Sequence, residues 1–232
     1  MDVIAPQYHE RQSRQMCLKH TLNNLFQGPV TTSAGLDSLA DLLSPAASFG
    51  FSAHRTAFLG NYDVNVLELA LQSRNKNLQW VSPPHASAAA AGAPGSAVSP
   101  LWPEPALLNR PDLFALVLNV PSPAAAWGLA SLARRLGLAG RHWLGFRRFG
   151  GQWYNLDSNL PAPQLVGDDD ALRAVLWERY GCGGCGAGGP SSDGGRGRRV
   201  GSGGGSAERP QLLAVLDGAP PSEPGERPPW VG

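Results

Sequence analysis

The chain has 232 residues with a formal net charge of +1 at pH 7, and it contains 29 glycines, 21 prolines and three cysteines. This length allows one sizeable domain with insertions, or two small domains. The near-zero charge gives no reason to expect nucleic acid or an anionic membrane as a partner, and no apolar run reaches the length of a membrane span. The many glycines and prolines predict that part of the chain stays outside a packed core.

The N-terminus and the cysteines bear on the cellular compartment. The first residues lack a basic region followed by an apolar one, so we expect no secretory signal. Three cysteines without an export signal favour free thiols in a reducing compartment. We therefore expect a protein of the cytoplasm, the nucleus or both. We also expect a monomer.

Three helices are predicted in the first third of the chain. From about Met16 the apolar residues recur at three- and four-residue steps, which is typical of one buried helix face. Residues 31–33 offer N-caps for a second helix that runs to Leu43. The segment 61–63 caps a third helix, which extends from Val64 to about Ser73. The second and third helices are short enough to form a hairpin that stands off the body.

Strands are predicted mainly in the second half of the chain. Their ranges are 77–81, 113–120, 141–149, 152–157 and 211–217. The second of them is continuously apolar, so we expect it in the centre of a sheet. Gly150-Gly151 lies between the third and fourth, and this pattern predicts a hairpin because glycine tolerates positive φ. A last helix over 171–179 follows three aspartates, whose charges suit the positive end of a helix dipole.

Two segments have low complexity and no hydrophobic period. Residues 82–105 combine Ser, Pro, Ala and Gly, and residues 181–208 are mostly Gly and Ser with scattered Arg. Both compositions favour flexible insertions. The tail 218–232 is Pro-rich and is predicted to be disordered. We therefore expect one domain over 1–217 that carries two insertions.

Cys17 falls in the first turn of the first predicted helix. The unpaired amides and the dipole at a helix N-terminus stabilise an anion, so a thiol there ionises more easily, and the thiolate is the nucleophile. Gln12 carries an amide donor that the preceding loop could fold back beside the sulfur. The alternative is that Cys17 is a small buried core residue, as free cysteines commonly are.

A nucleophilic cysteine needs a base and an orienting partner for that base. Of the five histidines, His142 opens the first strand of the predicted hairpin, and Asp157 closes the second strand. These two ends are neighbours across an antiparallel ladder, so the side chains can face each other at one sheet edge. With Cys17 on a helix that packs against this sheet, the roles would be those of a papain-like protease. The alternative is a hydrogen-bonded core histidine and a turn aspartate.

Several sequence blocks resemble the Josephin family, the ubiquitin-directed cysteine proteases of the Machado–Joseph disease protein group. The N-terminal signature is carried by His9-Glu10-Arg11-Gln12, Cys17, His20 and Leu22-Asn23-Asn24-Leu25. Further blocks at 60–66, 118–123, 141–143 and 154–158 are similar to those of the small single-domain Josephins and follow in family order. The resemblance spans about 8–217.

The resemblance implies an α+β, papain-like fold, with the nucleophile helix on an antiparallel sheet and a protruding helical hairpin that contacts ubiquitin. It implies that Cys17 is the nucleophile, His142 the general base and Asp157 its orienting residue, where the disease-protein branch has Asn. Gln12 takes the place of the oxyanion-hole donor. The expected activity is hydrolysis at the C-terminal glycine of ubiquitin without a cofactor or metal, and the expected partners are ubiquitin and ubiquitinated proteins.

A loose match places Val64 and Asn65 where the family touches ubiquitin.

Two alternatives to this function stay open. Cys17, His20, Cys182 and Cys185 could together supply ligands for a zinc ion. The chain could also be a ubiquitin-binding module with weak or conditionally switched hydrolysis.

Overall fold

The computed structural model describes residues 4–13, 16–44, 62–82, 102–121, 141–179 and 210–218. The predictions for the insertion over 181–208, for the tail beyond 218 and for most of the insertion over 82–105 concern residues outside these ranges. The end of that first insertion belongs to the fold, because Trp102 is buried and its indole N–H donates to Ser82 O at 2.6 Å.

Five helices are described. Their bounds are α1 Cys17–Phe26, α2 Ser33–Leu43, α3 Val64–Gln72, α4 Pro105–Leu108 and α5 Asp169–Glu178. The side chains of Thr32, Asp63 and Asp168 accept backbone N–H groups at the starts of α2, α3 and α5, as their N-cap positions predict. None of the helices in the described ranges is long and apolar enough to span a membrane.

Six strands form one antiparallel sheet in the order β1-β6-β2-β3-β4-β5. Their bounds are β1 Lys76–Val81, β2 Leu113–Pro121, β3 Arg141–Phe149, β4 Gln152–Asn155, β5 Gln164–Gly167 and β6 Gln211–Asp217. The predicted apolar strand, β2, lies inside the sheet between β6 and β3. Gly150 and Gly151 join β3 to β4 at φ of 54° and 82°, which confirms the glycine hairpin.

The sheet is covered on both faces, which explains the continuous apolar runs in its inner strands. On one face α1, α2 and α3 pack against alternate residues of β2 and β6, such as Val117 and Leu213. On the other face α4 and α5 pack against the residues between them, such as Leu116 and Leu212. The architecture is therefore α+β, with the cysteine-bearing helix on an antiparallel sheet, as predicted.

The predicted packing of the second helix against the third, α2 against α3, is confirmed. Leu36 and Ala40 of α2 and Leu67 and Leu71 of α3 belong to one buried cluster, so the two helices pack on each other. The residues that connect them, 45–61, lie outside the described ranges.

Candidate active site

Cys17 is the first residue of α1 and is 2% exposed. The N-cap residue Met16 makes no side-chain hydrogen bond to this helix N-terminus, so the first-turn amides keep their positive potential for an anion on the sulfur. The Cys17 Sγ lies 3.8 Å from Arg141 O, and the Thr21 hydroxyl, one turn later, donates to Trp143 O at 2.8 Å. The helix therefore contacts the backbone of β3 on both sides of His142.

A glycine allows this close approach of α1 to β3. A Cβ on Gly145 would lie 2.7 Å from Leu25 Cδ2 and 2.9 Å from Leu25 Cγ, which is closer than such carbons pack. Leu25 is fully buried against the strand. Gly145 thus sets the separation between the element that carries Cys17 and the element that carries His142.

His142 Nε2 lies 2.7 Å from Asp157 Oδ1, and both side chains are largely buried. Burial of the imidazole favours its neutral form, but the hydrogen bond to Asp157 and the interaction with the Cys17 side chain outweigh it and raise the pKa of His142 to about 9. Burial of Asp157 favours the protonated carboxyl, yet its hydrogen bond to His142 holds the Asp157 pKa below the ordinary value. Because His142 Nε2 is hydrogen-bonded to Asp157, Nδ1 is the ring nitrogen that is available to Cys17.

Asp157 contacts the imidazole from a turn beyond the end of β4. The sequence predicted instead that Asp157 lies in the β3–β4 ladder. The β3–β4 register pairs Phe146 with Asn155, where β4 ends. The Asp157 backbone N–H donates to Asn155 Oδ1 at 3.0 Å, and Leu160 N donates to Asp157 O at 2.9 Å. This turn brings the carboxylate back towards the ring.

Asn159 is a site residue that the sequence reasoning missed. Its backbone N–H donates to Asp157 Oδ1 at 2.9 Å, and its side-chain amide lies 3.0 Å from His142 Nε2. Continuing the β3–β4 register beyond the end of β4 brings this residue opposite His142. The register of the predicted hairpin was the signal that could have found it.

Gln12 lies beside the turn that carries Asp157. Its backbone N–H donates to Ser158 O at 2.7 Å, and its side-chain oxygen accepts from the Ser158 hydroxyl at 3.3 Å. The structure therefore joins the N-terminal loop to the turn on which the His142 partner lies. The Gln12 side chain is only half-buried, as a group that meets a substrate would be.

Val64 and Asn65 begin α3, outside this cluster. Val64 packs against the core, while Asn65 is exposed and its amide donates to Asp63 Oδ2 at 3.0 Å. The link to the site is made by Tyr62, two residues before Val64, whose carbonyl accepts the Trp143 indole N–H at 3.0 Å. The start of α3 is thereby tied to the residue that follows His142.

The residue before His142 is also fixed by a side chain that sequence reasoning left unassigned. The Arg141 guanidinium donates to Asn119 Oδ1 at 2.7 Å and to Asn119 O at 2.9 Å. Asn119 is buried on β2. These bonds hold the part of β3 whose carbonyl faces the Cys17 sulfur.

In this arrangement His20 is not available as a ligand for the zinc site considered above. Both ring nitrogens of His20 are engaged, Nδ1 with Glu10 Oε2 at 2.6 Å and Nε2 with the Ser13 backbone N–H at 3.3 Å. Cys182 and Cys185 lie outside the described ranges. Within those ranges no group of three or more His, Cys, Asp and Glu side chains could hold a metal ion.

A cysteine at the N-terminus of a helix, packed on an antiparallel sheet that carries a hydrogen-bonded His–Asp pair, has the parts that nucleophilic catalysis requires. The fold in which these parts meet is the papain-like α+β class. Comparisons with known proteins agree with this class: the family model described as Josephin matches residues 12–182.

Named relatives extend this match. Human Josephin-2 is 35% identical over 173 residues, which cover 73% of this chain and 77% of the relative. The Josephin-like protein of Arabidopsis thaliana is 37% identical over 180 residues, 73% of this chain and 43% of the relative. Ataxin-3 of Gallus gallus is 28% identical over 170 residues, 69% of this chain and 39% of the relative. The chain belongs to the Josephin family.

Proposed function

We propose that the protein is a cysteine-type deubiquitinase that hydrolyses peptide and isopeptide bonds at the C-terminal glycine of ubiquitin. The observation that carries this proposal is the juxtaposition of Cys17, at a helix N-terminus, with the His142 imidazole, which interacts with the Cys17 side chain and is held by Asp157 at 2.7 Å. Membership of the Josephin family supports ubiquitin as the substrate. A thiol nucleophile also suits a reducing compartment, so we place the protein in the cytoplasm, the nucleus or both. We also propose that it is a monomer.

In the proposed mechanism the Cys17 thiolate attacks the glycine carbonyl carbon and forms a tetrahedral intermediate. His142, as imidazolium, gives its proton to the leaving lysine amine while the C–N bond breaks and a thioester remains. His142 then takes a proton from water as the water oxygen attacks the thioester carbon. The C–S bond breaks, which restores the Cys17 thiolate, and the ubiquitin C-terminal carboxyl group leaves and ionises in solvent. Asp157 keeps the His142 ring in the orientation and tautomer that serve both proton transfers.

The negative charge on the tetrahedral oxygen needs donors that are in place beforehand. We assign this role to the Gln12 amide and the backbone N–H of Cys17 at the start of α1. Donors of this kind typically contribute about 3–4 kcal/mol each to transition-state stabilisation. The bonds from Gln12 to Ser158 support this assignment because they hold the Gln12 backbone next to the Asp157 turn.

Hydrolysis of a ubiquitin C-terminal fluorogenic substrate tests the proposal. Wild-type protein should release the fluorophore, and Cys17→Ala should abolish release while keeping the wild-type melting temperature. The matched control is the double variant Cys182→Ala/Cys185→Ala, which removes the other two thiols and should keep full activity. Full activity in Cys17→Ala would show that Cys17 is a core residue and not the nucleophile.

The same assay separates the binding-module alternative. A protein that binds ubiquitin but releases no fluorophore would have that function instead.

We expect ubiquitin to contact the start of α3 around Val64 and Asn65, because Tyr62 joins this helix to β3 next to His142. Substitution of the exposed Asn65 by Ala should then raise KM more than it lowers kcat.

A further inference from the structure

The side of α1 that faces the N-terminal loop is polar, and it is buried. His20 lies three residues after Cys17 on this helix and is 4% exposed. Its Nδ1 contacts the Glu10 carboxylate at 2.6 Å, and its Nε2 lies 3.3 Å from the Ser13 backbone N. One imidazole therefore contacts a residue on each side of Gln12 in the chain.

The partners fix the tautomer of His20. A backbone N–H can only donate, so Nε2 accepts from Ser13 and the ring proton lies on Nδ1, from which it is donated to Glu10. Burial of Glu10 favours its protonated form, but hydrogen bonds from Lys19, Tyr8, His20 and Asn23 outweigh burial and lower the Glu10 pKa to about 2. Glu10 is thus a fixed anion at neutral pH, with His20 oriented by it.

Other bonds hold the same loop to α1 and to the turn after β4. Asn24 Oδ1 accepts the Glu10 backbone N–H at 2.5 Å, and Asn24 Nδ2 donates to Glu10 O and to Leu156 O, each at 3.1 Å. Gln12 is bonded to Ser158. The loop is therefore held at Glu10, Gln12 and Ser13, and His20 is the side chain that contacts two of these three positions.

We propose that His20 is a positioning residue for the oxyanion donor: with Glu10 and Ser13 it forms a clamp that fixes the Gln12 loop relative to Cys17. We refer to these three residues as the His20 clamp. The inference rests on the proposed function, since it deepens the role given there to Gln12. An amide stabilises a developing oxyanion only if it is already in place when the charge forms, and a rigid clamp one helical turn from the nucleophile meets that condition.

Two substitutions test the clamp on the full chain with the ubiquitin fluorogenic substrate. His20→Leu keeps a similar volume and removes both contacts, while Glu10→Gln keeps the shape of the side chain and removes its charge. Each should lower kcat by about tenfold or more, below the ~10²–10³ loss expected for deleting an oxyanion donor, with KM little changed. His20→Gln, which can donate and accept, should recover part of the loss.

A second reaction shows whether His20 acts on the thiol or on the loop. Iodoacetamide alkylates Cys17 by displacing iodide at carbon, so the sulfur–carbon bond forms without any oxyanion. Alkylation of Cys17, followed by peptide mapping to separate it from Cys182 and Cys185, should proceed at the wild-type rate in His20→Leu. An equal fall in alkylation and in kcat would overturn the clamp, because His20 would then act on the nucleophile.

A double-mutant cycle with Gln12→Ala completes the test. If His20 acts through Gln12, His20→Leu should cause no further loss of kcat once the Gln12 amide is gone. A loss that simply multiplies that of Gln12→Ala would overturn the inference. The matched control is Lys19→Met, which removes another bond to Glu10 Oε2 but leaves the Ser13 contact, and it should stay within about twofold of wild type.

The outcomes distinguish this inference from the proposed function. Wild-type kcat in both His20→Leu and Glu10→Gln, beside an active wild-type enzyme, would overturn the clamp and leave the proposed function standing. An inactive wild-type protein would overturn the proposed function and the clamp with it. If His20→Leu melts below the assay temperature, Glu10→Gln decides between loss and retention of kcat, measured at a temperature at which its own unfolding curve shows it to be folded.

Discussion

At the scale of single residues, the proposed site depends on the contact between His142 Nε2 and Asp157 Oδ1 at 2.7 Å, beside Cys17 at the start of α1. The start of α1 and the glycine hairpin indicated where Cys17 and His142 lie. Asp157 contacts His142 from a turn whose shape depends on Asn155, Asn159 and the chain beyond β4, and this geometry could not be predicted from the sequence. Turn geometry of this kind depends on side-chain bonds that no hydrophobic pattern encodes.

The pH dependence of activity tests the Asp157 assignment. The His142 pKa is raised from 6.5 to about 9, so the imidazolium persists through neutral pH and is lost as the pH rises through about 9. Asp157→Asn removes the charge that raises this pKa while keeping an acceptor for the ring. The alkaline limb of kcat/KM should therefore move to lower pH, with substantial activity retained near neutrality.

Asp157→Ala should be worse than Asp157→Asn because orientation is lost along with charge, and we expect a fall in kcat/KM of about 10². The measurement is kcat/KM against pH for the wild type and both variants. Wild-type profiles in both would mean that Asp157 is only a turn residue, and that Asn159, whose side-chain amide lies 3.0 Å from His142 Nε2, is the next candidate for the orienting group.

Acid unfolding tests whether the ionised Glu10 carboxylate stabilises the fold. Its pKa is lowered from 4.5 to about 2, so its ionised form contributes stability that is present above about pH 4.5 and is lost as the pH falls through about 2. The wild type should exceed Glu10→Gln in free energy of unfolding by on the order of 3 kcal/mol at pH 6. Denaturant unfolding at a series of pH values should show this difference shrinking below pH 4.5. A constant difference would refute the anion's role.

At the scale of elements, the long helices and strands were predictable, and the short ones were not. Apolar spacing and N-caps predicted α1 to α3, and glycines or continuous apolar runs predicted β2, β3 and β6. β5 was missed because it has four residues, ends in a glycine and leaves Leu165 exposed. α4 was missed because its single turn follows a low-complexity stretch and begins with a proline.

The burial of α1 was only half predicted. Its periodicity indicated one apolar stripe, but His20, Thr21, Asn23 and Asn24 are buried as well. Thr21 faces β3, where its hydroxyl donates to Trp143 O, while the N-terminal loop covers the other three and satisfies their polar atoms, through Glu10 above all. A polar helix face that is buried by a partner loop looks, in sequence, like a solvated one.

Gly145→Ala tests the packing of α1 on β3. The added Cβ would collide with Leu25, so we expect a loss of about 1–3 kcal/mol in stability from overpacking. Any shift of α1 also changes the position of Cys17 relative to His142, so kcat should fall. The matched control is Gly28→Ala, just beyond the same helix, where a Cβ would have nothing within 4 Å. Equal melting temperatures for the two variants would contradict this account of the interface.

At the scale of the whole molecule, two cores lie on opposite faces of one sheet, and Cys17, His142 and Asp157 lie where α1, β3 and the turn after β4 meet. β6 pairs with both β1 and β2, so the last described strand completes the sheet. The chain between α5 and β6 must allow this pairing, whatever its own conformation.

The Gly-rich insertion should be dispensable. Its residues are mostly Gly and Ser, too few of them apolar to add to a core, and loops tolerate changes of length at small entropic cost. Replacing residues 183–207 by a short flexible linker should preserve the melting temperature and the rate of ubiquitin hydrolysis. Unfolding of this variant, or loss of bound zinc by elemental analysis, would favour a structural role for Cys182 and Cys185.

The assignment of Cys17 as the nucleophile is tested most directly by reaction with ubiquitin that carries an electrophile at its C-terminus, followed by peptide mapping. We expect a single covalent adduct on Cys17 in the wild-type chain, retained in Cys182→Ala/Cys185→Ala and absent in Cys17→Ala. His142→Ala should slow adduct formation, because the thiolate loses its imidazolium partner. No adduct on Cys17 of the folded wild-type protein, or an adduct on Cys182 or Cys185 alone, would contradict the assignment.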